Sequence, residues 1–226
     1  MTLQSLESRR KRAIEIIKKL RIATRGTQKT LTQSIKYEFG DNPFLILVSC
    51  LLSLRAKDVV TLPVCRVLFK KAKTPEDFID IPISELEKIL FKIGFYKNKA
   101  KILKAVSKDI LERFNGKVPN NKEDLLSIKG VGSKTANLIL GEVFKIPAIC
   151  VDTHVHRVSN RLGLISTSTA QQTEKALQEL LPEEYWIEWN SLIVTWGQST
   201  CVPISPWCSQ CEIYGLCKRM GVTKNR

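Results

Sequence analysis

The sequence predicts an all-α protein. Almost no segment alternates apolar and polar residues over five positions, apolar residues recur at helical spacing, and the connections are short and rich in glycine, proline and capping residues. At 226 residues the chain is long enough for one large domain or two small ones that share a core. A hydrophobic content of 43% is that of a globular protein, not a disordered one.

The elements follow in order. Ser5 to Arg25 reads as a basic amphipathic helix, with Leu6, Ala13, Ile16, Ile17 and Leu20 on one face. Thr27 to Phe39 reads as a second, ended by Gly40. Asp41-Asn42-Pro43 is a helix start, a capping residue followed by proline near the first helical position. The run Phe44 to Leu54 is apolar nearly all round and too short to span a membrane, which predicts a buried central helix wrapped by the others. Val59 to Lys71 is helical. Thr74-Pro75-Glu76-Asp77 and Pro82-Ile83-Ser84-Glu85 open two more helices, their acidic residues complementing the helix dipole. Ile93-Gly94-Phe95-Tyr96 is a glycine loop before a long helix, Asn98 to Phe114. Helices are also expected at Ser133 to Phe144, from Asp152 onward, at Ala170 to Leu181 and at Glu184 to Gly197. Gln198 to Arg226 is cysteine-rich and irregular.

Charge narrows the function. Thirty-six Lys and Arg against 22 Asp and Glu leave a formal charge of +14, which points to a polyanionic partner such as nucleic acid. No apolar run reaches the roughly 18 residues of a membrane span. The N-terminus lacks the apolar core and cleavage site of a secretory signal. Seven cysteines, four of them crowded between Cys201 and Cys217, do not form a secreted disulfide framework and suggest an intracellular protein with one metal site. Their spacing, Cys201-x6-Cys208-x2-Cys211-x5-Cys217, suits either a structural zinc ion or an iron–sulfur cluster. The loop Val202 to Trp207 holds two prolines and is stiff; with Trp207 and Tyr214 it would shield the site from water.

The chemistry concentrates between Asp124 and Val158. Leu125, Leu126 and Ile128 form an apolar helical turn, followed by Lys129-Gly130-Val131-Gly132-Ser133 and then a helix. A helix, a G-x-G turn and a second helix make a helix-hairpin-helix. Its glycines let a ligand approach the backbone, and the amides at the next helix start are donors for a phosphate. Lys134 follows directly. It is either a surface lysine that contacts a phosphate or an amine nucleophile. An amine attacks only when neutral, and the positive end of a helix together with a basic surround favours the neutral form. Asp152 precedes Thr153-His154 as a helix cap, and as a carboxylate it can also accept a proton or stabilise a cationic transition state. His154 and His156, two apart on a helix, face different ways, so a shared metal is not expected, and they read as structural or as supports behind the site residues.

Taken together, LLSIKGVGSKTANLILGEVF, VDTHVHRVSNRLGL, LLSLRAKDV, IGFYKNKAKIL and the cysteine spacing resemble the endonuclease III family of helix-hairpin-helix DNA glycosylases, from about Asn42 to the C-terminus. The resemblance implies two lobes with a cleft between them, a six-helix barrel over about 36–146 and a helical domain made of 1–35 with 147–226. It implies a 4Fe-4S cluster on Cys201, Cys208, Cys211 and Cys217, Lys134 as nucleophile and Asp152 as catalytic carboxylate. Gly130, Gly132, Ser133 and Lys129 would hold DNA. The implied activity is removal of oxidised pyrimidines and cleavage of abasic sites in double-stranded DNA through a lysine Schiff base. The implied protein is a monomer, cytoplasmic and nucleoid-associated, with no membrane partner. A monofunctional mismatch glycosylase and a non-catalytic DNA-binding module are the alternatives. Arg55 and Phe95 stand where the family usually carries glutamine and leucine. Both positions resemble those that wedge into DNA at a flipped base; an arginine can pair with an orphan guanine and a phenylalanine can stack. The loop Val202 to Trp207 carries no basic residue, unlike many family members, and Lys218 and Arg219 are candidate substitutes.

Overall fold

The computed structural model describes residues 3–27 and 29–226. Among them lie twelve α-helices and no strand. In chain order these are α1 (Leu3–Ala23), α2 (Leu31–Phe39), α3 (Pro43–Ser53), α4 (Asp58–Lys71), α5 (Pro75–Asp80), α6 (Ile83–Leu90), α7 (Tyr96–Phe114), α8 (Lys122–Ser127), α9 (Ser133–Leu138), α10 (Thr153–Arg161), α11 (Ala170–Leu180) and α12 (Trp186–Ser199). None of the described helices is long and apolar enough to cross a membrane. The chain divides into two compact units: residues 29–146, and the N-terminal residues before 29 together with 147–226.

The 29–146 unit is built on α3. Asn42 starts the helix by accepting hydrogen bonds from Phe44 N (3.0 Å) and Leu45 N (3.2 Å), with Pro43 pre-set for the first turn. Every residue from Phe44 to Leu52 is buried, so the helix is enclosed on all faces as its uniform apolarity requires. It packs against α2, α4, α7 and α9. Edge-to-face pairs, Phe44 with Phe78 and Phe39 with Phe69, join α3 to α5 and α2 to α4. The helix expected from Thr27 begins instead at Leu31. Thr30 and Gln33 form a capping box there, Thr30 Oγ1 accepting from Gln33 N and Gln33 Oε1 from Thr30 N. A lobe boundary at residue 36 would cut this helix; the division falls at 28/29 and keeps α2 whole.

The helix expected from Ser133 to Phe144 keeps α-geometry only to Leu138 and continues as a π-helical turn, Ile139–Val143. The carbonyl of Glu142 in that turn accepts from the ammonium groups of Lys36 (2.9 Å) and Lys145 (3.0 Å). Such turns are uncommon and concentrate near functional sites.

In the other unit α1 supplies Ala13, Ile16, Ile17 and Leu20, all fully buried, to a core that also holds Val155, Val158, Leu177, Trp189 and Ile193. Trp189 donates to Ser159 Oγ inside that core (3.2 Å), satisfying its indole N–H. Three arginines of α1 act as carbonyl clamps: Arg9 on Leu164 O (2.9 Å), Arg10 on Leu180 O (2.8 Å) and Arg12 on Gly163 O (2.7 Å). Part of the positive charge read from composition therefore holds the fold together. Burial lowers the pKa of Arg12.

Candidate functional site

The hairpin forms as its pattern dictates. Asn121 caps α8 by accepting from Asp124 N (2.9 Å), and Leu125, Ile128 and Val131 bury the inner side of the turn. Gly130 has φ +93, a backbone that side chains rarely adopt, and a Cβ there would stand 3.0 Å from Ile102 Cγ2. Gly132 serves as the start residue of α9 without a side-chain cap, and a Cβ there would meet nothing within 4 Å. The outer edge of the turn is thus open at the start of α9. Gly132, Ser133 and Lys134 are exposed, while Thr135, Ala136 and Asn137 are buried. Lys129 is exposed too, and its amide is 3.5 Å from Asp109 Oδ2.

Lys134 therefore stands in the first turn of α9, beside the open glycine edge. Its charge reaches the buried thiol of Cys50 on α3. Burial pushes the Cys50 thiol up to about 12, against the opposing influence of the Lys134 charge and of hydrogen bonds with Ser49 and Thr32. Cys50 stays a neutral thiol at physiological pH and is no rival nucleophile.

Arg55, Phe95 and Gly130 line one cavity of about 210 Å³, with Leu51, Leu52, Leu54, Asn98, Lys99, Ile102 and Leu103. Three residues singled out from separate stretches of sequence meet there. Arg55 and Phe95 are both exposed and both hold positive φ, 55° and 60°. Left-handed backbone at two non-glycine residues stores about 1–3 kcal/mol each, and such strain gathers at functional sites. Lys99, which the sequence did not single out, is 6% exposed, and desolvation lowers its pKa. A signal was present: Lys99 lies in phase with Leu103, Val106 and Ile110, the buried stripe of α7.

In the other unit Asp152 caps α10. A single oxygen, Oδ1, accepts from His154 N (2.9 Å) and Val155 N (2.8 Å). Its Oδ2 has no hydrogen bond among the described residues, so capping leaves half of the carboxylate available. The two histidines have different partners: His154 Nδ1 lies 3.2 Å from Arg157 Nη2, and His156 Nδ1 lies 2.7 Å from Thr173 Oγ1.

Cys201, Cys208, Cys211 and Cys217 line one cavity, walled by Val158, Leu162, Trp196, Pro206, Trp207, Ile213 and Tyr214. All four are free thiols. Among the described residues no three His, Cys, Asp or Glu side chains are gathered tightly enough to chelate one ion. Burial pushes the thiols of Cys211 and Cys217 up, and N–H donors stand ready for anionic sulfur: Arg219 N is 3.3 Å from Cys217 Sγ, and Arg161 Nη1 is 3.6 Å from Cys201 Sγ. Arg161 also grips the proline loop through Val202 O (2.7 Å) and Pro203 O (2.6 Å), and Arg157 donates to Cys201 O (2.9 Å). Spaced i, i+4 on α10, these two arginines were legible as one helix face but not as supports of the cysteine loop. Arg219 is engaged in stacking on Tyr214 and donating to the Cys217 carbonyl. The Lys218 stem packs against Gly163, where a Cβ would come within 2.7 Å of it.

A helical protein with a glycine hairpin, a lysine at the following helix start and a four-cysteine pocket belongs to the class of helix-hairpin-helix DNA-repair proteins. The model of the HhH-GPD superfamily of base excision DNA repair proteins matches residues 48–183, and the chain belongs to that family. It is 40% identical to the endonuclease III of Thermotoga maritima over 177 residues, covering 78% of this chain and 83% of the relative. It superposes on a non-covalent endonuclease III–DNA complex with TM-score 0.83 at 32% identity, covering 93% of this chain and 95% of that one. It matches a trapped endonuclease III–DNA covalent intermediate with TM-score 0.75 at 34% identity, covering 83% and 92%.

Proposed function

We propose that the protein is a bifunctional DNA glycosylase that removes oxidised pyrimidines from double-stranded DNA and then cleaves the abasic strand. The observation that carries this reading is the exposed Lys134 at the first turn of α9, directly after the Gly130–Gly132 turn. A turn of this kind holds a phosphate through backbone amides and sets an amine beside the adjoining sugar. The likeness to endonuclease III trapped as a covalent intermediate on DNA supports a covalent mechanism.

The chemistry runs in two stages. The damaged nucleotide leaves the stack, at a cost of a few kcal/mol that damage reduces. Lys134 Nζ bonds to C1′ of the sugar while the C1′–N bond to the base breaks, the base departing with the electron pair and taking up a proton. Opening of the sugar ring gives a Schiff base between Nζ and C1′. The iminium acidifies C2′; loss of a C2′ proton and departure of the 3′ phosphate cut the strand, and water then releases Lys134. Asp152 is assigned as the catalytic carboxylate, a group that can accept a proton and balance positive charge developing at the sugar. Arg55 and Phe95 fill the gap that the flipped nucleotide leaves. Borohydride reduction with an oligonucleotide duplex carrying an abasic site tests the reading. A covalent protein–DNA adduct is expected, and its absence would refute the lyase activity.

Phosphate contact through the hairpin and the basic surface predicts a steep salt effect. Affinity for an abasic duplex should fall about tenfold or more between about 50 and 200 mM salt. A flat response by fluorescence anisotropy would contradict the hairpin as the DNA contact.

The four cysteines are proposed to hold a 4Fe-4S cluster. Four thiols that line one apolar pocket supply the ligand set that such a cluster requires. The cluster would serve as a cross-link of the cysteine loops, with Arg161 and Arg219 N balancing thiolate charge. Purified protein is expected to be brown and to contain iron and acid-labile sulfide. Stripping the metal should lower the melting temperature by about 10 °C or more, because metal binding is folding free energy for such loops. A colourless, zinc-loaded preparation would overturn the assignment.

A further inference from the structure

We propose that Lys99 is a positioning residue that ties the Arg55 and Phe95 turns into one rigid frame, so that both side chains enter the DNA gap in a fixed register. This rests on the gap-filling role proposed above for Arg55 and Phe95.

The Lys99 ammonium is buried and donates to Leu52 O (2.7 Å) and Leu54 O (2.8 Å). These are terminal carbonyls of α3, the kind that a helix leaves without intrahelical partners. Arg55 follows at once, with φ 55°. The same lysine belongs to the first turn of α7, where its amide donates to Phe95 O (3.0 Å), and Phe95 has φ 60°. One residue thus bonds to the carbonyl just before Arg55 and to the carbonyl of Phe95 itself. Both turns hold a backbone that persists only when its surroundings over-determine it. No ion pair involves Lys99 among the described residues, and no Asp or Glu lines the cavity.

The arrangement is a costly one for mere stability. A methionine or leucine would fill the same space in the α7 stripe without burying an ammonium. What the ammonium adds is direction: three donors on a flexible stem converge two carbonyls of α3 onto the start of α7. The cavity beside it, bounded by Gly130 of the hairpin, leaves room for the Arg55 and Phe95 side chains to swing unless their backbones are held.

The test compares Lys99→Met, which keeps the length and loses the charge, with the double variant Arg55→Ala/Phe95→Ala. Two activities are read for each: single-turnover release of thymine glycol from a duplex, where a gap must be filled, and borohydride trapping on a single-stranded abasic oligonucleotide, where none exists. We expect the duplex-to-single-strand ratio to fall about tenfold or more in both proteins. Adding Lys99→Met to the double variant should lower the ratio no further. A purely structural lysine would lower both activities together and leave the ratio unchanged, which overturns the proposal; so would a full additional loss in the triple variant. If the double variant keeps the wild-type ratio, the gap-filling reading itself fails and this inference with it. If only the double variant loses the ratio, Lys99 alone is refuted. Should Lys99→Met not fold, Lys99→Gln replaces it with the same outcomes. A second readout is 2-aminopurine placed opposite a tetrahydrofuran abasic analogue: its fluorescence change on binding should be lost in Lys99→Met at saturating protein, and a wild-type change would refute the role.

Discussion

Replacing Lys134 with alanine is expected to abolish borohydride trapping on abasic DNA and to lower strand cleavage by at least about 10³-fold, while duplex binding falls only a few-fold. The asymmetry follows from where the residue sits. In the proposed binding mode phosphate contact comes from the backbone of the Gly130–Gly132 turn and from Ser133, which do not depend on the Lys134 side chain. Losing one of several cationic contacts therefore removes a modest share of the affinity. The Schiff base, by contrast, has no other amine to form on in α9, whose sequence is SKTANL. The helix should tolerate the change, since position 134 is exposed and alanine is a good helix former. A Lys134→Ala protein that folds, binds and still traps on DNA would sink the nucleophile assignment. One that keeps base release but loses strand cleavage would place water in the attacking role and make the enzyme monofunctional.

The outline of this protein was legible because its helices are locally determined. Asn42-Pro43 and Thr74-Pro75 start helices by capping chemistry that a few residues encode, and the structure shows each cap made. The apolar run after Pro43 had one physical outcome, complete burial. The glycine hairpin and the cysteine spacing were equally local. Less accessible was anything that depends on packing. The π-turn at Ile139–Val143 has no period of its own, and its carbonyl at Glu142 is satisfied by Lys36, over a hundred residues away. The clamping role of Arg9, Arg10 and Arg12 looked like surface charge, because a sequence does not say which guanidinium meets a carbonyl. Lys97, Lys99, Lys101 and Lys104 look alike in IGFYKNKAKIL; only the phase of Lys99 with Leu103 and Ile110 separates it, and only the structure shows what its ammonium holds. The left-handed backbones of Arg55 and Phe95 were hidden because neither residue type favours them.

Asp152 raises the question of whether a residue that caps a helix can also work in catalysis, and substitution with asparagine separates the two roles. The cap is made by Oδ1 alone, with two amide bonds of 2.9 and 2.8 Å. Asparagine presents the same carbonyl oxygen at the same place and ranks with aspartate as a cap. Asp152→Asn is therefore expected to unfold within about 0.5 kcal/mol of the wild type, whereas Asp152→Ala loses the cap and about 1 kcal/mol. Activity should follow a different division. Asparagine has no negative charge, and where Oδ2 was open it presents an amide that cannot take a proton from an ammonium group. Both variants should then release base at least about 10²-fold more slowly, with asparagine no better than alanine despite its intact helix. Denaturant melts and single-turnover assays on a thymine glycol duplex give the comparison. Activity that tracks stability, full in Asp152→Asn and reduced only in Asp152→Ala, would reduce Asp152 to a cap. Stability that stays with the oxygen while activity stays with the charge would establish that one carboxylate performs both tasks, one with each oxygen.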